Sequence, residues 1–207
     1  MLPEMNNKDV NIEAVAKTAI TDSGLFSEIL NGLTSKGETL RYNCHKALMH
    51  ISETNGKLLY PKWDHFVEFL GSDNSYRKMS AVQILANLTE VDAENKFEEI
   101  IEKYYGLLDD KSMIVSIYVA SSSGKIVKAK PQLEREITIK LLGINKTHHP
   151  ERRKPLIKAG AMQAFDMYFP EATDKEGIIT FVKEQQNCDS PKTRKLAHDF
   201  LLKWDRK

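Results

Sequence analysis

Cysteine is scarce in this chain of 207 residues: Cys44 and Cys188 stand alone and far apart. On what read as a helix and a helix-connecting turn, they suit a reducing compartment rather than a disulfide framework. Long apolar runs are missing as well. No stretch of about 18 apolar residues is there to cross a bilayer, and the N-terminus lacks the basic-then-apolar order of a secretion signal. The expected address is cytoplasmic, with no membrane partner. Nor is there an excess of charge of one sign, since 30 basic residues face 29 acidic ones. That balance speaks against a surface built throughout for nucleic acid.

The motifs of common chemistries are absent too. Ser121-Ser-Ser-Gly-Lys125 has neither the upstream glycine nor the Lys-Ser/Thr ending of a phosphate loop, and no strand precedes it. It reads as a small-residue stretch of helix. His45 and His50 are five apart and turn away from each other on a helix, while His148 and His149 are adjacent in a turn and are expected to lack a third ligand nearby. No metal, cofactor or catalytic residue is expected.

What the chain does have is a folded, soluble composition, 41% hydrophobic and 29% charged, in a length that suits one or two domains. It also has a pattern that returns. Asp73-Asn-Ser-Tyr-Arg-Lys-Met-Ser-Ala-Val-Gln-Ile-Leu-Ala-Asn-Leu88 opens with turn and capping residues, presents Arg77, and runs into a helix with Ala81, Val82, Leu85, Ala86 and Leu88 on one side. One such helix cannot bury its stripe alone, but stacked copies can.

Taken in order, Met1 to Asn7 is polar and is expected to fray, and Ile12 to Ile20 has helical spacing that ends at Thr21-Asp-Ser-Gly24. Helix pairs then follow. The first sets Leu25, Phe26, Ile29, Leu30 and Leu33 against Leu40, Cys44, Ala47, Leu48 and Ile51. The second starts near Pro61 and ends in the helix just described. The third runs from about Ala93 to Leu108, turns at Asp109-Asp-Lys-Ser112 and continues from Met113. Pro131 opens the fourth, whose connection Asn145 to Glu151 is long and whose second helix has Pro155 near an irregular start. Ile178 to Val182, the turn Asn187-Cys-Asp-Ser-Pro191 and Leu196 to Leu201 make the fifth.

Aligning the turns puts Arg41, Arg77, Ile114, Arg153 and Arg194 at equivalent positions, at intervals of 36, 37, 39 and 41 residues. The turn-then-basic-then-small order of Ser75-Tyr-Arg-Lys-Met-Ser-Ala81 and Pro191-Lys-Thr-Arg-Lys-Leu-Ala197 resembles the entry to the second helix of HEAT repeats. Unit three departs from it with Ile114, and unit four with its prolines. The resemblance implies an all-α fold: a right-handed α-α superhelix of about five HEAT-like helix pairs with an N-terminal capping helix, its second helices lining a concave face. The expected division is a tail and cap over 1–23, repeats over 24–56, 57–92, 93–130, 131–170 and 171–204, and a tail over 205–207.

Most members of such a family bind proteins or nucleic acid rather than perform chemistry. The leading expectation is therefore a non-enzymatic scaffold that holds a partner protein through exposed positions of the second helices: Arg41, His45, Arg77, Lys78, Gln83, Asn87, Ser116 and Lys158. Arg77 and Arg194 are expected to form a ladder between repeats through the turn acids Asp73 and Asp189. The alternative is nucleic-acid binding through 125–158. There Lys125, Lys128, Lys130, Arg135, Lys140, Lys146, Arg152, Arg153, Lys154 and Lys158 make 10 basic residues against 3 acidic ones. Because paired helices are antiparallel, this patch is expected to divide, with Lys125 to Lys130 at one edge and Lys146 to Lys154 at the other. Trp63-Asp64 and Trp204-Asp205 invite comparison with DNA glycosylases built from HEAT-like repeats, but neither pair falls on a second helix of the middle repeats. No residue is matched to that family's site.

Overall fold

The computed structural model describes residues 4–205, and their regular structure is entirely helical. The chain forms two compact units, Met1–Glu94 and Asn95–Lys207. Of the expected tails over 1–7 and 205–207, residues 1–3 and 206–207 lie outside the described residues.

In the first unit, α1 (Ile12–Thr21) and α2 (Ser23–Gly32) pack on α3 (Glu38–Thr54). Their starts are fixed by side chains that accept otherwise orphaned backbone protons: Asn11 from Ala14 N–H, and Asp22 from Leu25 N–H. A short α4 (Gly56–Leu59) and a 3₁₀ turn (Tyr60–Lys62) lead into α5 (Trp63–Leu70), and α6 (Ser75–Leu88) closes the unit against α3 and α5. Residues 4–7 do not fray as expected. Met5 is buried, and Asn43 Nδ2 donates to the carbonyls of Met5 and Asn7, both at 2.9 Å. One apolar residue in a polar run suffices when a buried amide beneath it satisfies the backbone.

Helix α6 is buried not along one stripe but nearly all round. From Ser80 to Thr89 only Gln83 keeps appreciable exposure. A helix with neighbours on several sides needs small and apolar residues on every face, and here α3, α4 and α5 supply those neighbours. The first helices of the pairs are one-sided by contrast: α5 buries Trp63, Phe66, Phe69 and Leu70 and leaves Asp64 and Glu68 in solvent.

The second unit contains α7 (Lys96–Gly106), α8 (Met113–Ala129), α9 (Glu134–Leu142), α10 (Lys154–Tyr168), α11 (Lys175–Lys183) and α12 (Pro191–Trp204). Helix α10 packs between α8 and α12, and α9 touches α8, α10 and α11. Helices α8 and α10 run in the same direction at backbone contact. Gly160 faces Ile117, Ala120 and Ser121, while Gly124 faces Ala164 and Met167. The Ser121 to Lys125 stretch is thus small because another backbone lies against it. Pro155 sits in the first turn of α10 after a turn over Glu151–Arg153, a place where its missing N–H leaves no helical bond unmade.

Many long-range polar bonds, most of them joining one helix pair to the next, fall at sequence separations of 32–39 residues, close to the spacing of the turns. In the first unit these include Asn87 Nδ2 to Ser52 Oγ at 2.8 Å and Tyr60 OH to Asp92 at 2.6 Å. In the second they include Lys130 to Glu98, Lys140 to Glu102, His148 to Asp109, Thr173 to Glu134 and Thr193 to the Pro155 carbonyl.

Candidate binding groove

The C-terminal ends of α8, α10 and α12 gather at one edge of the second unit around a groove of about 550 Å³. Val127, Lys128, Asp166, Met167, Tyr168, Lys203 and Trp204 come from those helix ends. Pro131, Glu134, Pro170, Glu171 and Thr173 come from the segments that lead into α9 and α11. Helix C-termini present unpaired carbonyls, so such an edge favours positive charge.

Glu134 is the buried charged member of this lining. Its carboxylate accepts from Thr138 Oγ1 at 2.9 Å, from Thr173 Oγ1 at 2.8 Å and from Thr173 N–H at 3.2 Å. Thr138 has one hydroxyl proton and gives it to the carboxylate, so Tyr168 OH, 2.9 Å away, donates to Thr138. Burial also holds the Tyr168 phenol well above its ordinary pKa, which keeps it a donor. Elsewhere in the lining Asp166 accepts from Trp204 Nε1 at 2.7 Å and Lys203 Nζ at 2.8 Å, and Lys203 Nζ stands 4.6 Å from the Trp204 ring centre. Both chains of donors end at a carboxylate. The arrangement suits holding a charged group better than moving a proton.

No family model, curated protein or solved structure matches the chain.

Of the second-helix positions expected to face a partner, Arg41, Arg77, Lys78 and Gln83 are partly exposed, whereas His45, Asn87, Ser116 and Lys158 are buried. Each of these four is claimed by a neighbouring element. His45 lies edge-on to Tyr76, and Asn87 reaches Ser52. Ser116 bonds the Leu107 carbonyl and His149, and Lys158 lies over the Phe181 ring with Glu184 at 4.0 Å. Second helices with neighbours on several sides keep only a narrow open stripe, so polarity alone does not locate it.

The basic region divides as expected: Lys125 and Lys128 lie near the end of α8, while Arg152, Arg153 and Lys154 lie at the start of α10. Much of its charge is already engaged. Lys130 pairs with Glu98, Lys140 with Glu102 and Glu136, Lys154 with Glu151, and Lys158 approaches Glu184. Lys154, counted as a binding residue from the sequence, is buried and donates to the Asn145 carbonyl at 2.6 Å. Arg152, Arg153, Lys125 and Lys128 are exposed.

The repeated arginines do not build the expected ladder. Arg194 donates to the Cys188 carbonyl at 2.6 Å and Arg41 to the Ser35 carbonyl at 3.0 Å, each six residues back in its own turn. Arg77 lies over the Phe69 ring. The bonds between pairs are made by other residues, among them Asp109, which supplies the third group beside His148 and His149. Asp109 accepts from the His148 backbone N–H at 2.7 Å and lies 2.6 Å from His148 Nδ1. The two imidazoles are stacked 4.5 Å apart, and His149 bonds Ser116 and the Leu108 backbone. Lone pairs lie in ring planes, so stacked rings do not converge on one ion, and the trio serves as a clasp between two turns.

The groove residues Glu134, Asp166 and Thr173 escaped the sequence reading, which counted Glu134 only as a charge opposing the lysines. Trp204 stood out as a residue type but not as part of a site. The available signal was the 36-residue spacing of Glu98 and Glu134 in the first turns of α7 and α9.

Proposed function

We propose that this chain is a non-enzymatic interaction module of HEAT-like helix pairs, stacked as a right-handed α-α superhelix, that holds a segment of a partner protein. The observation that carries the reading is the groove at the ends of α8, α10 and α12. Its lining sets Met167, Tyr168 and Trp204, of residue types enriched at protein interfaces, beside charged side chains that could fix a partner's orientation. The recurrence of inter-pair bonds near the repeat spacing supports the HEAT-like part. Two free cysteines accord with a cytoplasmic setting.

Nucleic-acid binding is the competing reading, and the internal pairing of Lys130, Lys140 and Lys154 weighs against it. Affinity capture on the immobilised chain, run beside a mobility-shift series with duplex DNA, separates the two. Retention of a protein partner, with no DNA shift at about 50 mM salt, is the expected result. DNA binding that falls steeply with salt, together with no retained protein, overturns it.

A further inference from the structure

Two successive joints in the second unit are built alike but filled differently. At the first, Glu98 in the opening turn of α7 receives Lys130, the residue just before Pro131. Lys130 Nζ lies 3.2 Å from Oε1 and 3.0 Å from Oε2 of Glu98, and 2.9 Å from the Asn95 side-chain oxygen. The lysine is buried there. At the next joint Glu134, in the opening turn of α9, receives Thr173 from the segment before α11. Its partners are neutral hydroxyls and one amide, and among the described residues no cation lies within ion-pair distance of it. Beside this carboxylate the groove is open.

The start of α9 offsets part of the Glu134 charge, but a buried carboxylate with only neutral donors lacks an ionic partner to offset its lost hydration in full. The carbonyl ends of α8 and α10 add negative potential at the same place. Of the other charged groups of the groove, Asp166 already holds Lys203, and Glu171 and Lys128 are exposed. Hydrocarbon surface for a long side chain is supplied by Pro131, Met167 and Trp204.

We infer that the groove receives a lysine side chain of a partner protein, its ammonium meeting Glu134 as Lys130 meets Glu98 and its methylene stem lying along Met167 and Trp204. This rests on the interaction-module reading and names the chemistry of the partner's contact.

Two blocked tripeptides serve as probes, Ala-Lys-Ala and Ala-norleucine-Ala, which share most of the stem and differ in the ammonium. Titrated into ¹⁵N-labelled protein, the lysine peptide is expected to move the indole N–H resonance of Trp204, and the norleucine peptide to leave it in place. Glu134→Gln should weaken the lysine response about tenfold or more. Thr173→Lys supplies an internal ammonium in the manner of Lys130. It is expected to raise the melting temperature and to abolish the response, so that this loss cannot come from misfolding. Equal binding of both peptides, or a lysine response unchanged in both variants, overturns the inference. A captured protein partner that binds both variants undiminished removes the lysine contact and leaves the module reading standing. Failure to capture any protein strikes the module reading itself.

Discussion

Gly160 of α10 lies so close to Ile117 of α8 that a Cβ on the glycine would stand 2.9 Å from the isoleucine's carbonyl oxygen and 3.2 Å from the Ala120 Cβ. Gly124 makes the reciprocal approach, and a Cβ there would stand 3.0 Å from the Cα of Ala164. Two helices at this separation bury backbone against backbone, and an added methyl has nowhere to go.

Gly160→Ala is therefore expected to destabilise the protein by about 1–3 kcal/mol through overpacking, against the roughly 1 kcal/mol that alanine gains in helix propensity. Gly106→Ala is the control. Gly106 ends α7 with a φ of −55°, and nothing lies within 4 Å of the place its methyl would take. There the substitution should stabilise by up to about 1 kcal/mol. Urea midpoints at unchanged slope check both.

The helices and their pairing were legible because their signals are local: caps such as Asn74, apolar spacing, and prolines at helix starts. The site was less so. Whether a polar residue such as Asn87 or Lys158 faces solvent depends on a neighbour some 35 or 26 positions away, Ser52 or Glu184, and no local pattern carries that. Glu134 illustrates the same limit. Its type suggested a solvated surface acid, yet Thr173 from the next pair covers it.

His45 should make the fold acid-sensitive well above the carboxylate range. It is buried, its Nδ1 has no hydrogen-bond partner, and burial pushes its pKa down from 6.5 to about 4. The unfolded chain takes up this proton near 6.5 and the folded chain only near 4, so stability is full above the upper value and declines as pH falls between them. The loss is about 3 kcal/mol at most. His65 and His149 are also lowered by burial and act in the same direction, so the readout is a difference. His45→Leu should flatten part of the stability-against-pH curve between about pH 7 and 4, and identical curves would sink the assignment.

The Asp109 clasp should control the long connection before α10. The His148 backbone N–H, as the leading cause, holds the Asp109 carboxyl below its ordinary range. The clasp is therefore intact above that range and is lost as pH falls through the lowered folded value. Asp109→Ala is expected to speed exchange of the His148 amide about tenfold or more while moving the global unfolding midpoint little, since both side chains are largely exposed. Amide exchange followed by NMR checks this, and unchanged protection of His148 would show that the connection is held by other contacts.

Lys154 and Arg153 are neighbours of like charge with opposite expected roles. Lys154 Nζ is 2.6 Å from the Asn145 carbonyl and 2.6 Å from Glu151 Oε1, and its side chain is buried beneath the connection. Lys154→Ala should strand that carbonyl and cost about 1–3 kcal/mol. Arg153, exposed in the turn before α10, should tolerate alanine within about 0.5 kcal/mol, and so should Arg152. Thermal melts of the three variants distinguish the internal cation from the surface ones. A partner affinity that falls in Arg153→Ala at unchanged melting temperature would then assign the start of α10 to the binding surface, whereas a loss confined to Lys154→Ala would be a loss of fold.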